Sequence, residues 1–240
     1  MKKIQKILSI MLIGASFVFS SLIYSNAGII PYINLGKGQI SFLLSIENRG
    51  GKSGLCVTDF GGGGKKDKDT AAKEGFEETM GIFTTKGSEG LLYYDKKKKK
   101  NVLNTIAKKK GIKFFKDRMS SKKSFGERTY ITYFVDVTDK VKKLGGRLDT
   151  LKAMENRLKR LKVDRKFKNI SKSYKEKRGF VWVTKDDLLD VLKNNNDIDC
   201  FVLKNFRWSK GSAIADKNKK KLKLYHRIRK NLNPSLLDKL

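Results

Sequence analysis

Thr58 to Phe83 reads TDFGGGGKKDKDTAAKEGFEETMGIF: four consecutive glycines, then a stretch carrying Glu74, Glu77 and Glu78. The glycines predict a turn and the residues after them a short helix. At about 3.6 residues per turn, positions i, i+3 and i+4 share one helix face, so the three carboxylates project together. Like charges so close repel one another unless a cation lies among them. An all-oxygen ligand set suits a hard divalent ion, Mg2+ or Mn2+, which keeps part of its water and takes further contacts from substrate phosphates. The glycines let backbone approach such an ion closely, and a carbonyl of Gly62 or Gly63 is a candidate to complete the set. A glutamate cluster on a lysine-rich chain is otherwise a solvated helix face. The glycine run and the strand-like segments around it favour the metal reading.

Ala71 to Gly81, AAKEGFEETMG, resembles the second half of the signature of Nudix hydrolases, G-x5-E-x7-R-E-U-x-E-E-x-G-U, where U is a bulky aliphatic residue. Lys73 stands at the family arginine, Glu74 at the glutamate beside it, Glu77 and Glu78 at the paired glutamates, and Gly81 near the closing glycine. The chain departs from the pattern in its loop, which is shortened, so that Lys65 falls where the first family glutamate stands and Asp67 or Asp69 is left as a substitute. Gly75 replaces the aliphatic residue, and Met80 adds one residue before the glycine. The flanking order is also similar: strand-like AGIIPYIN, ISFLLSIE and LCVTDF precede the box, and TYITYFVDV and GFVWVTKDDLLDVL follow it. The resemblance runs from Ala27 to Leu192, with an unmatched stretch inside.

This resemblance implies an α/β fold, a Nudix-like α/β/α sandwich with a mixed central sheet, enlarged here by lysine-rich helical insertions. It implies a Mg2+-dependent (or Mn2+-dependent) hydrolase that cleaves a phosphoanhydride bond in a nucleoside diphosphate linked to another moiety, or in a similar polyphosphate. Glu77 and Glu78 would be ligands, Glu74 a further ligand or the base that takes the proton of the attacking water, and Lys73 an orienting partner through a salt bridge to one glutamate. Glu176, in YKEKRGF, and Glu127 are candidates for a downstream acid. The loops that select a substrate lie outside the matched segments, so the substrate-binding residues are not assigned. The alternative is an exported, catalytically silent Nudix-like module that binds polyanions through its lysines.

The net charge is +31, from 55 Lys and Arg against 24 Asp and Glu. Such a surface attracts polyanions without specifying one, and no zinc-finger spacing or RNA-recognition motif accompanies it. His226 is the single histidine and sits in the basic segment YHRIRK, which argues against Ser-His-Asp and Cys-His chemistry. GGGGKKDKDT fails the P-loop pattern, because Lys66 is followed by Asp67.

MKKIQK followed by the apolar LSIMLIGASFVFSSLIY predicts a signal peptide over 1–27, with Ser25-Asn26-Ala27 as a small-x-small cleavage site. Export to a periplasm or beyond follows, or a membrane contact if the segment stays uncleaved as an anchor. The catalytic domain is placed at 28–210, with an insertion around 84–126 that adds a helix and a strand pair. An amphipathic helix is placed around 149–163, where Leu151, Met154, Leu158 and Leu161 recur at intervals of three and four. Residues 211–240 read as a basic helical segment. Cys56 and Cys200 are either a disulfide or two small buried residues.

Overall fold

The computed structural model describes residues 25–50, 54–64, 67–120, 124–127, 130–238 and 240. Most of the apolar N-terminal segment, and Lys65, lie outside these. In chain order the elements are β1 (Ser25–Asn34), β2 (Ile40–Asn48), β3 (Leu55–Thr58), β4 (Phe60–Gly64), α1 (Lys68–Glu78), β5 (Leu92–Asp95), β6 (Lys100–Leu103), α2 (Thr105–Arg118), β7 (Ser124–Glu127) and β8 (Tyr130–Asp136). There follow α3 (Thr138–Lys143), α4 (Arg147–Val163), β9 (Gly179–Thr184), α5 (Lys185–Asn194), β10 (Ile198–Ser209), β11 (Ser212–Leu222), α6 (His226–Asn231) and α7 (Pro234–Leu237).

The protein is mixed α/β around a mixed seven-stranded sheet with the order β3-β2-β1-β8-β7, β4 joining β1 and β9 joining β2. β1 runs parallel to β8 and antiparallel to β2 and β4. Every residue of β1 from Ala27 to Ile33 is buried, because helices cover both faces of the strand. Alternation along the strand sorts its side chains. Ala27, Ile29 and Ile33 pack with Phe76 of α1, Phe115 of α2, and Met154 and Leu158 of α4. Ile30 and Tyr32 pack on the other face with Phe134, Leu188 of α5, Ile228 of α6 and Leu237 of α7.

β3 and β4 are nearly continuous, yet β3 pairs with β2 and β4 with β1. Asp59 lies at the crossing between them. Its buried carboxylate accepts hydrogen bonds from the Tyr130 hydroxyl at 2.6 Å and the Thr132 hydroxyl at 2.9 Å, and the Ser45 hydroxyl donates to its carbonyl at 2.9 Å. The change of partner therefore leaves neither the carboxylate nor the carbonyl of Asp59 stranded in the core.

Three sequence expectations are corrected. The glycine run is a strand, Phe60–Gly64, not a turn, because β1 offers it a continuous row of backbone partners. The folded domain begins before residue 28: β1 starts at Ser25, whose partner is Gly64, and Ala27 is a fully buried core residue paired with Gly62. The boundary at 210 divides a hairpin, and 212–222 is strand rather than helix. Lys210 (φ 48°) and Gly211 (φ 75°) both take the left-handed backbone of a two-residue hairpin turn, which outweighs the helical propensity of the lysines beyond it. Helix returns only in α6 and α7, the latter with Pro234 in its first turn. Of the two readings open for Cys56 and Cys200, the structure shows buried free thiols.

Among the described residues no helix is long and apolar enough to cross a membrane. A chain starting at Gly28 is expected to melt about 5–10 °C below one starting at Ser25, because it loses three residues of β1 and the burial of Ala27. Equal melting temperatures for the two truncations would contradict that.

Candidate functional site

Helix α1 starts at Asp67, whose carboxylate accepts the Thr70 N–H at 2.7 Å. Asp69 pairs with Lys116 at 2.5 Å on the surface. Both aspartates thus serve the helix or its neighbour, and neither stands in for a missing loop glutamate. The helix ends where Met80 takes a left-handed φ of 54° and the Gly81 N–H reaches back to the Phe76 carbonyl at 2.8 Å. Met80, the extra residue against the family spacing, is therefore the left-handed closing residue, held there by a fully buried side chain. Gly75 has a direct cause as well, since a Cβ there would lie 2.5 Å from Ile29 Cδ1. Arg157 of α4, buried without a carboxylate partner among the described residues, donates to the Met80 carbonyl and the Thr85 hydroxyl, each at 2.7 Å. It fastens the loop after α1 to α4, and burial pushes its guanidinium down to about 10.

Glu74, Glu77 and Glu78 lie on the buried face of α1, 7%, 4% and 2% exposed. β4 crosses beside them. A Cβ on Gly62 would come within 2.8 Å of Glu74 Oε2, so only glycine lets backbone and carboxylate touch. Gly63 is exposed, with nothing nearer to such a Cβ than Asn26 Oδ1 at 3.7 Å.

Each carboxylate has a cation. Lys73, half exposed, reaches Glu74 at 3.3 Å and Glu77 at 3.9 Å. Lys108 of α2 reaches Glu77 Oε1 at 2.6 Å, and the Ser173 hydroxyl donates to Glu77 Oε2 at 2.9 Å. The ammonium of Lys177, itself buried, lies 2.8 Å from Glu78 Oε1 and contacts Glu47 at the end of β2. Arg49 pairs with Glu47 at 3.2 Å. The centre thus gathers five buried carboxylates, Glu47, Asp59, Glu74, Glu77 and Glu78, around which stand four cations, Arg49, Lys73, Lys108 and Lys177. With all five ionised, one negative charge would be left over.

Burial pushes Glu78 up to about 8 even with the Lys177 ammonium beside it, and raises Glu74 against the pull of Lys73. Lys177 is pressed down by burial and held above its ordinary value by Glu78 and Glu47.

Two observations fit a hard divalent ion. Glu78 Oε2 is buried with no hydrogen-bond partner, and the backbone at Gly62 is open to the Glu74 carboxylate. The oxygens are of the kind such an ion takes. Against this, among the described residues no three His, Cys, Asp or Glu side chains are grouped closely enough to hold an ion. The ammonium groups hold these carboxylates instead.

Glu176 is exposed and faces away from the centre, where it attracts Lys162; its neighbour Lys177 is the residue turned inward. Glu127 ends β7, and its side chain lies outside the described residues. The sequence reading missed Glu47, Asp59, Arg49, Lys108, Ser173 and Lys177. Glu47 and Asp59 had a signal, each being an acid at the end of an apolar strand. The lysines had none, among 55 basic residues. No family model matches the chain, and searches of curated proteins and of solved structures returned no match.

Proposed function

We propose that this protein is a Mg2+-dependent hydrolase that cleaves a phosphoanhydride bond, in a nucleoside diphosphate linked to another moiety or in a similar polyphosphate, on a Nudix-like α/β/α sandwich. The observation that carries this reading is the set of three buried glutamates on one face of α1, laid against a glycine strand. Glu74, Glu77 and Glu78 would hold Mg2+ (or Mn2+), with a backbone carbonyl of Gly62 or Gly63. When bound, the ion neutralises phosphate charge and lowers the pKa of a water. The chain supplies the rest. Lys108 and Ser173 fix both oxygens of Glu77, and Lys73 orients Glu74. Glu74, raised by burial, is the candidate to take the proton of the attacking water at one of its carboxylate oxygens. The exposed lysines of β11, Lys217, Lys219, Lys220 and Lys221, add to a field that draws in polyphosphates.

The test is release of nucleoside monophosphate by the full chain across a panel of nucleoside triphosphates, nucleotide sugars and dinucleoside polyphosphates. Release that requires Mg2+ and stops on chelation is expected for at least one of them. No release from any would contradict the reading.

A second reading, a catalytically silent polyanion-binding module, is favoured by the ammonium groups that already pair with the carboxylates. It predicts nucleotide binding that survives Glu78→Gln, needs no Mg2+ and weakens as salt rises.

Export through the apolar segment that precedes β1 is part of the proposal. A membrane-anchored form is the alternative, and N-terminal sequencing of the protein recovered outside the inner membrane separates the two.

A further inference from the structure

We infer that the cavity bounded by the edge of the sheet at β3, the end of α5 and the start of α6 binds a small organic anion. An apolar ring or chain lies on its floor, and the anionic group meets the basic residues at its mouth. The inference is independent of the divalent-ion reading, since no residue lining this cavity belongs to the carboxylate centre.

The cavity is built where the sheet would otherwise end. β3 is the last strand on its side, and an open edge needs cover. The chain leaving β11 supplies it. The Val57 N–H donates to the Lys223 carbonyl at 3.0 Å, and the Tyr225 N–H to the Val57 carbonyl at 2.7 Å. Leu224, between them, is turned into the core at 4% exposed, while Lys223 stays exposed and Tyr225 half-buried. At His226 the chain enters α6, and Leu192 in the last turn of α5 completes the lining. The space enclosed is about 700 Å³, within the range of about 300–1,000 Å³ usual for small-molecule sites.

The lining divides by chemistry. Cys56, Leu192, Leu224 and the Tyr225 ring supply apolar surface. The Arg49 guanidinium, 5.3 Å from the centre of the Tyr225 ring, and the His226 ring, edge-on at 4.5 Å, hold that ring in place. Lys223, Arg229 and Lys230 bring positive charge, and no acid is among the described residues that line the cavity. Lys223 has only a 3.5 Å contact with the partly exposed Asp197, and Arg229 donates to the neutral side chain of Asn195. Positive charge therefore exceeds negative at the mouth and attracts an anion. An inorganic anion would leave the apolar floor unused. A nucleobase would find neither a carboxylate nor an amide side chain in this lining to accept from its exocyclic amine. An aryl or alkyl body that carries one carboxylate or sulfonate uses both halves.

The probe is anilinonaphthalene sulfonate, titrated by fluorescence into the full chain at about 0.15 M salt, where distant surface charge is screened. Melting temperatures of all variants are recorded alongside. Saturable binding at one site is expected, with displacement by naphthoate or laurate and none by inorganic phosphate or adenosine monophosphate at the same concentration. Leu192→Trp places an indole in the cavity and should weaken binding about tenfold or more. Replacing Lys223 and Lys230 together by glutamine should weaken it by about three- to tenfold. The same exchange at Lys96 and Lys97, exposed in the turn between β5 and β6, removes equal charge and should change affinity by less than about twofold.

No saturable binding by the wild type overturns the inference. So does equal weakening by the two double variants, or displacement by phosphate or adenosine monophosphate as effective as by naphthoate. Unchanged affinity in a folded Leu192→Trp also overturns it. If Leu192→Trp does not fold, the comparison of the two double variants decides alone.

Discussion

Glu78→Gln is expected to lower Mg2+-dependent nucleotide cleavage by about 10²–10³-fold, on the scale of losing one group that stabilises charge in the transition state. The substitution keeps the shape of the side chain and the contact with Lys177, so the fold should persist. It also has a signature in stability. Burial raises Glu78 from its ordinary 4.5 to about 8. The native state therefore keeps a proton that the unfolded chain releases. The associated stability is complete below pH 4.5, declines as pH rises, and is gone above about 8. In metal-free buffer the wild type should lose a few kcal/mol of stability between pH 5 and 8, a shift of about 10 °C in Tm. Glu78→Gln should have a much flatter profile. Glu74, also raised by burial, adds a slope of the same sign to both proteins, so the difference between their Tm–pH curves is the quantity to measure. Parallel curves would show that Glu78 is not the group responsible.

The second large effect lies within the glycine run, where three neighbouring alanine substitutions should behave differently. A Cβ on Gly61 would stand 2.2 Å from the Tyr130 hydroxyl, 2.7 Å from Gly28 Cα and 2.9 Å from the Ala27 carbonyl oxygen. Two of these three neighbours are backbone of β1 and cannot step aside. Gly61→Ala should therefore force β4 from β1 and disturb the hydrogen bond from Tyr130 to Asp59, at a cost of about 3 kcal/mol or more. Gly63→Ala meets nothing closer than 3.7 Å and should change stability by less than about 0.5 kcal/mol. Gly62→Ala pushes on the Glu74 carboxylate alone. It should be mild for folding and should weaken Mg2+ dependence, seen as a rise in the Mg2+ concentration that gives half-maximal release. Urea denaturation of the three variants checks the order, and equal destabilisation by Gly61→Ala and Gly63→Ala would contradict it.

Much of the site's helix half was legible because its signals are local. Carboxylates spaced by three and four positions share a helix face whatever lies around them, and α1 places Glu74, Glu77 and Glu78 together. The alternation in residues 130–136 and the apolar run of Ile40–Ile46 likewise mark strands on their own. What escaped is non-local. A glycine run reads as a turn until β1 is seen to pair with it. Residues 212–222 read as a basic helix until the turn at Lys210–Gly211 folds them onto β10. The balance of charge in the centre was the least legible part. Lys108 arrives from a helix inserted between strands and Lys177 from the residue pair that precedes β9. In sequence neither differs from the dozens of lysines facing solvent.

The central claim is that the buried glutamates of α1 form a divalent-ion centre. It is tested most directly by titrating Mn2+ into the full chain and into Glu78→Gln while following the resonance signal of the free ion. Saturable binding by the wild type that is lost or greatly weakened in Glu78→Gln is the expected result. Absence of binding by the wild type, or equal binding by both proteins, would contradict it.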